Sequence, residues 1–131
     1  MSRLLAGIAI ALTVLACGPT APPPSADPTD PASVLATYLT ALGAGDCTSA
    51  RAFAAPTFRQ GNGELCGAVR VSAIRVDWDP ARSANEVVYA TTLTTSGSAD
   101  GSVPAGDITW FFDLKREADG AWRLVGGGSG P

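Results

Sequence analysis

The fold is decided by a stretch near the C-terminus, which reads Ile108-Thr109-Trp110-Phe111-Phe112-Asp113-Leu114-Lys115. Every second residue in this stretch is large and apolar: Ile108, Trp110, Phe112 and Leu114. Because successive side chains of a strand point to opposite faces of a sheet, the alternation predicts a strand with one face on a core. Thr109, Asp113 and Lys115 belong to the opposite, solvent face. Phe111 shares that outer face and is the one aromatic exception to the pattern.

The same period of two continues on both sides of this strand. It predicts an earlier strand, in which the alternating residues are Val87, Tyr89, Thr91 and Leu93. Within Val69–Trp78 the alternation shifts by one place near Ala73, which predicts a β-bulge that bends the strand around a curved core. Asp119-Gly120 predicts a hairpin turn into a last strand that contains Trp122 and Leu124.

The first part of the domain has helical rather than strand spacing. Asp30-Pro31 predicts a helix start, because Asp caps the free amides and Pro fits the first turn. The stripe that follows consists of Val34, Leu35, Tyr38, Leu39 and Leu42. Gly43-Ala44-Gly45 should end this helix. Asp46 or Thr48 should cap a second, shorter helix whose inner side carries Ala50, Phe53 and Ala54 and which ends at Pro56.

Two helices followed by a strand meander predict an α+β domain. Its curved antiparallel sheet should have four or more strands and pack on the N-terminal helices. The stretch Val34-Leu35-Ala36-Thr37-Tyr38-Leu39-Thr40-Ala41-Leu42-Gly43-Ala44-Gly45-Asp46, together with Asp119-Gly120-Ala121-Trp122-Arg123-Leu124, resembles the nuclear-transport-factor-two-like superfamily. That superfamily includes ketosteroid-isomerase-like and SnoaL-like enzymes and many small bacterial lipoproteins. The resemblance runs from Asp30 to about Val125, so we assign residues 31–125 to this domain.

The resemblance implies a cone-like fold whose open end can hold a small apolar ligand. The residues that would line this pocket are Tyr38, Tyr89, Trp78, Trp110, Phe112 and Trp122. The two tyrosines are the best polar candidates, since a buried phenol seeks a hydrogen-bond partner. The alternative is that both tyrosines belong to the core, because aromatic residues at core spacing usually do.

The N-terminus predicts export and a lipid anchor. After Arg3 the chain is apolar up to Ala16, a length that suits a secretory signal better than a membrane-spanning helix. The sequence Val14-Leu15-Ala16-Cys17-Gly18 resembles the lipobox of bacterial lipoproteins. We therefore expect residues 1–16 to be a signal peptide and Cys17 to be lipidated. The alternative is an ordinary secretory signal followed by an unmodified cysteine.

The lipid would hold the protein on the extracytoplasmic side of the bacterial cell membrane. Residues 17–30 are rich in proline and predict an extended tether between the membrane and the domain. Residues 126–131, Gly-Gly-Gly-Ser-Gly-Pro, predict a flexible tail.

Charge and cysteine content narrow the function classes. Without Arg3, eight basic side chains remain against twelve acidic ones, a net charge of −4, which argues against nucleic acid as a partner. Cys47 and Cys66 form an even pair in an exported chain and are expected to be a disulfide. The chain has no histidine, which argues against a zinc site and leaves a Cys-His nucleophile without its base. No metal or cofactor is expected.

No residue is assigned a catalytic role, because each aspartate has a simpler explanation. Asp77 and Asp79 suit a turn, Asp46 suits a helix cap, and Asp113 lies on the outer face. The first functional hypothesis is therefore a non-catalytic domain that binds a small apolar ligand or another envelope protein. The second is an isomerase or cyclase that uses a pocket Asp or Tyr, and the third is a structural or regulatory domain with a filled cone. Phe111 is the candidate interface residue for a homodimer or a partner protein.

Overall fold

A computed structural model describes residues 25–130 of the chain. The predicted signal peptide 1–16, Cys17 and the first part of the tether lie outside these residues. The helices are α1 (Pro31–Ala44), α2 (Cys47–Arg51) and a short 3-10 helix (Gln60–Asn62). The strands are β1 (Val71–Val76), β2 (Ala81–Arg82), β3 (Glu86–Ser96), β4 (Ala105–Arg116) and β5 (Trp122–Gly128).

The five strands form one open, curved antiparallel sheet, and the predicted α+β class is confirmed. Its order is β1-β3-β4-β5, and β2 pairs with β3 on the same side as β1. The register of β1 against β3 shifts between Val71 and Ala73, which confirms the predicted bulge. A second shift, between Asp113 and Leu114 in the pairing of β4 with β5, has no counterpart in the sequence pattern.

Helix α1 supplies one side of the core and the inner face of the sheet supplies the other. The side chain of Asp30 accepts hydrogen bonds from the amides of Ala32 and Ser33, and Gly45 ends the helix in the left-handed conformation. The buried side chains of α1 are Pro31, Val34, Leu35, Tyr38, Leu39, Ala41 and Leu42. The fully buried side chains of the sheet's inner face include Tyr89, Leu93, Phe112, Leu114 and Leu124. The alternation in β3 and β4 therefore predicts the core face correctly.

The predicted tail is wrong for its first half, because Gly126, Gly127 and Gly128 belong to β5. They pair with Asp113, Phe112 and Phe111 of β4. Glycine is rare in β-strands, so the composition of residues 126–131 alone predicted a flexible tail. Glycine is required at position 127, since a Cβ built there would lie 2.7 Å from the carbonyl oxygen of Phe111.

Two boundaries also differ from the prediction. The end of the tether belongs to the domain, since the amide of Trp122 donates to the carbonyl of Pro28 at 2.7 Å. The second helix is shorter than expected and ends at Arg51, although Asp46 caps it as predicted. Phe53 instead lies beside β5, where its carbonyl accepts from the amide of Leu124 at 3.0 Å. These contacts cover the β5 edge of the sheet, whereas β1 and β2 form its other edge.

Candidate functional site

The interior between α1 and the sheet is filled by aromatic side chains. The ring centroid of Tyr38 lies 5.7 Å from that of Phe58 and 5.4 Å from that of Phe112. Both contacts are edge-to-face, the geometry that aromatic quadrupoles favour. The three rings occupy the space in which the resemblance implied a ligand pocket. Four surface clefts of about 360 to 690 Å³ lie around the described residues, and Tyr38, Tyr89 and Phe112 do not line any of these four.

The predicted pocket residues therefore separate into three groups. Tyr38, Tyr89 and Phe112 are core residues, which is the alternative that the sequence left open, and Trp122 is buried with them. Trp110 is buried but borders a cleft of about 690 Å³, and its Nε1–H donates to the carbonyl of Gly63 at 3.3 Å. Trp78 is not part of the buried core. It follows the end of β1 and is 53% exposed, and its ring packs edge-to-face on that of Tyr89, with the centroids 5.8 Å apart.

Glu64 is a buried carboxylate that the sequence analysis missed. It lies in the loop after the 3-10 helix and is only 2% exposed. Its Oε1 accepts hydrogen bonds from the Tyr38 hydroxyl at 2.9 Å and from the Cys66 amide at 2.8 Å. Burial, and then the nearby charge of Glu64, raise the pKa of Tyr38 well above its usual value. The phenol therefore remains a donor, and the pair ties α1 to the disulfide loop.

Glu64 does not have the access that a general base requires. The residue borders two clefts, of about 690 and 550 Å³, and its Oε2 has no hydrogen-bond partner. However, less than 1 Å² of Oε2 is accessible to solvent. A general base must come within hydrogen-bond reach of the proton that it removes. A substrate in either cleft would not reach this oxygen, so the geometry favours a structural role for Glu64.

The disulfide between Cys47 and Cys66 is present, as the cysteine count predicted. It joins the start of α2 to the loop that carries Glu64, and the two Cα atoms are 5.5 Å apart. Within residues 25–130 there is no group of three His, Cys, Asp or Glu side chains that could hold a metal ion. The same part of the chain contains no helix long and apolar enough to cross a membrane.

Phe111 lies on the outer face of the sheet, as its position in the alternation predicted. It is half-buried and is flanked in the ladder by Ala90 of β3 and Gly128 of β5. Asp113 lies on the same face, but it is not the simple surface residue that the sequence suggested. Its Oδ1 is buried without a partner, and burial, followed by the charge of Glu86, raises its pKa.

A small cleft of about 360 Å³ lies on the outer side of the sheet edge. Its lining residues come from β1, β3, β4 and the turn after β1: Arg75, Val76, Asp77, Trp78, Ala90, Thr91, Thr92 and Thr109. Five of the eight have polar or charged side chains, and Trp78 is the exposed large hydrophobic residue of the described chain. This combination differs from the apolar cone that the resemblance implied.

Comparisons with known proteins do not add a family to these observations. No protein-family model, curated protein or solved structure matches the chain.

Proposed function

We propose that the protein is an extracytoplasmic lipoprotein, anchored through Cys17, whose domain binds with its surface and does not catalyse a reaction. The observation that carries this proposal is the filled interior formed by Tyr38, Phe58 and Phe112. A small apolar ligand needs a cavity that buries most of its surface, and these rings occupy that volume. The exposed faces of the sheet are then the binding surface, and the partner is an envelope protein or another component of the cell envelope.

We also propose that residues 31–125 form a domain of the nuclear-transport-factor-two-like superfamily. The support is the order of elements, with two helices before a curved antiparallel sheet. The filled interior departs from the open cone that enzyme members of that superfamily use. It therefore favours a binding or accessory role over the isomerase or cyclase alternative, and the limited access to Glu64 Oε2 favours the same role.

The lipid anchor is tested by replacing Cys17 with Ala. The variant should move from the membrane fraction to the soluble extracytoplasmic fraction, because no other anchor is proposed. Its melting temperature should equal that of the unmodified domain, since the predicted tether separates Cys17 from the core. Cell fractionation and immunoblotting measure the distribution, with Thr20→Ala as a control for the substitution itself. A Cys17→Ala protein that stays in the membrane fraction would refute the anchor.

We also propose that the outer face of the sheet contacts a second copy of the chain or a partner protein through Phe111. The neighbours Ala90 and Gly128 have little or no side chain, so they leave the sides of the aromatic ring uncovered. The exposed Thr109 lies on the same face two residues away. A covering surface would bury this ring at little cost, because the groups around it are short and mostly uncharged.

Phe111→Glu tests this interface in a soluble protein that begins at residue 25. We expect self-association, or capture of the partner, to weaken at least about tenfold, because a charge would be buried without a pair. The melting temperature of the monomer should change little. Phe111→Leu is the matched control and should keep the association. Analytical ultracentrifugation and thermal melts separate the outcomes: a large fall in melting temperature would assign Phe111 to the core instead, and a wild-type monomer without a partner would end the proposal.

A further inference from the structure

We infer that the partner of the sheet's outer face is a second copy of the chain, and that the two β4 strands lie antiparallel across a twofold axis at Phe111. The inference rests on the interface proposed above, because it names the partner of that same face and the orientation in which it binds. It starts from the row of outer side chains on β4: Asp107, Thr109, Phe111, Asp113 and Lys115. This row is its own complement when it is reversed about Phe111.

The two ends of the row carry opposite charges. Asp107 and Lys115 lie four residues before and after Phe111, and both are exposed. Each Lys115 therefore faces the Asp107 of the second copy when the strands are antiparallel. One oxygen of Asp107 accepts from Thr94 Oγ1 at 2.6 Å, which leaves the other oxygen for the ammonium group. Lys115 contacts Glu86 of its own chain at 3.8 Å, and its three N–H donors have capacity for a second carboxylate.

The inner pairs of the row match a hydrogen-bond donor with an acceptor. Within residues 25–130, neither oxygen of Asp113 accepts a hydrogen bond; Oδ1 is buried, and Oδ2 is the oxygen that a second copy can reach. Thr109 is exposed, and its hydroxyl also lacks a partner in the described part of the chain. These two residues lie at equal distances from Phe111, so the antiparallel arrangement places each hydroxyl opposite a carboxylate. Each Asp113 then gains a donor that the single copy does not supply.

The centre of the face allows two copies to approach closely. Phe111 is half-buried, and its ladder neighbours Ala90 and Gly128 are small. At a twofold axis each ring meets the same ring of the second copy, and aromatic rings attract each other most when they are offset. An offset ring lies over Ala90 or Gly128 of the other copy, and these small residues leave room for it.

The geometry of packed sheets accommodates the outer pairs. Sheets that pack face to face cross at about 30°, so residues far from the axis are displaced sideways. Asp107 and Lys115 are about 13 Å from the axis along the strand, and the long lysine side chain spans the displacement. Asp77 is a like charge level with the axis, but it follows β1, two strand spacings or about 10 Å from β4. The sheet curves around the core, so this edge bends away from a surface that contacts β4.

Other arrangements fit the row less well. If the two copies were parallel, Asp107 would face Asp107 and Lys115 would face Lys115, and like charges at an interface are unfavourable. A twofold contact presents the same patch on both subunits, so every favourable pair occurs twice. The row on β4 meets this condition in the antiparallel orientation. A second copy is therefore the occupant whose complementary chemistry is present in the chain itself.

The test is self-association of the full-length protein, purified in detergent, by analytical ultracentrifugation at matched detergent density. We expect a dimer with a dissociation constant below about 100 μM. Asp107→Lys and Lys115→Asp should each raise this constant about fivefold to thirtyfold, because each variant replaces two attractive pairs by two repulsive ones. The double variant Asp107→Lys/Lys115→Asp should associate like the wild type, since it restores both pairs with reversed sign. The two positions are eight residues apart on one strand, so this restoration must occur between copies.

Further variants test the inner pairs and the specificity of the effect. Thr109→Val replaces a hydroxyl by a methyl group of the same shape and should weaken the dimer about threefold to thirtyfold, because two carboxylates lose their donors. Asp79→Lys, in the turn between β1 and β2, and Thr40→Val, on α1, are the matched controls. Both lie off the row and should leave the dissociation constant unchanged. All of these side chains are exposed, so thermal melts should show every variant folded.

The outcomes separate this inference from the interface on which it rests. A dimer that is weakened by Phe111→Glu but not by the single charge variants, or that the double variant does not restore, would overturn the inference and leave the interface intact. A wild-type monomer that captures a different protein through Phe111 would do the same. A wild-type monomer that captures nothing would overturn both. None of these results would affect the fractionation of Cys17→Ala.

Discussion

Gly63→Ala is expected to destabilise the domain by about 2 to 5 kcal/mol. Gly63 has a φ of +97°, a conformation that costs an L-residue roughly 1 to 2 kcal/mol. The added methyl group would also lie 2.4 to 2.7 Å from three backbone atoms of Gly127, and overpacking of this kind costs about 1 to 3 kcal/mol. The loop cannot easily move away from β5, because the carbonyl of Gly63 accepts from Trp110 Nε1 of β4 and Asn62 Nδ2 donates to the carbonyl of Val125 in β5. The melting temperature should fall by at least about 10 °C.

Gly61→Ala is the matched control for this substitution. It lies two residues earlier, in the 3-10 helix that ends at Asn62, and no heavy atom lies within 4 Å of its ideal Cβ position. Its φ is not positive, so the added methyl group meets neither strain nor a neighbour. We expect the free energy of unfolding to change by less than about 1 kcal/mol. Urea or thermal unfolding of both variants measures the difference, and equal stabilities would show that the contact between Gly63 and Gly127 is not tight.

The second large effect is expected from loss of the disulfide. Replacing Cys47 and Cys66 together by Ala should lower the free energy of unfolding by about 3 kcal/mol, the chain-entropy value for a loop of this size. Alanine is preferable to serine because Cys66 is buried, where an unpaired hydroxyl would add a separate cost. For a domain of about 100 residues, the melting temperature should fall by about 12 to 24 °C.

Reduction provides an independent control for the same bond. A reducing agent should lower the melting temperature of the wild-type protein to about that of the double variant and should leave the variant unchanged. The loop between the two cysteines also carries Glu64, whose contact with the Cys66 amide would loosen with it. Mass spectrometry under non-reducing conditions should find the two cysteines joined. Two thiols that alkylate freely in the native protein would contradict the bond.

Much of the fold could be predicted because it depends on local spacing. The alternation from Ile108 to Leu114 predicted the buried face of β4, and the broken alternation near Ala73 predicted the bulge in β1. In both cases, the side chain's direction follows from the strand's period of two. The cap at Asp46 and the pairing of Cys47 with Cys66 were also predictable, from helix-start chemistry and from cysteine parity.

The candidate site was less predictable, because its contacts join residues that are far apart in the chain. Tyr38 and Glu64 are 26 residues apart, and nothing in the loop sequence around Glu64 indicates that its carboxylate is buried. Trp78 alternates like a core residue, but its strand ends at Val76, so its ring lies at the edge of the sheet. The cleft beside it gathers residues from three strands and a turn.

The sequence by itself determined the element types, the core face of each long strand, the bulge and the disulfide, since these follow from local periodicity, capping chemistry and cysteine parity. Only the tertiary structure decided whether the interior is open, where Trp78 lies, and that Gly126–Gly128 continue a strand. The physical reason is that a cavity is the space left after distant side chains pack, and the closeness of Gly63 to Gly127 depends on two backbones meeting. Neither quantity is encoded in the spacing of neighbouring residues.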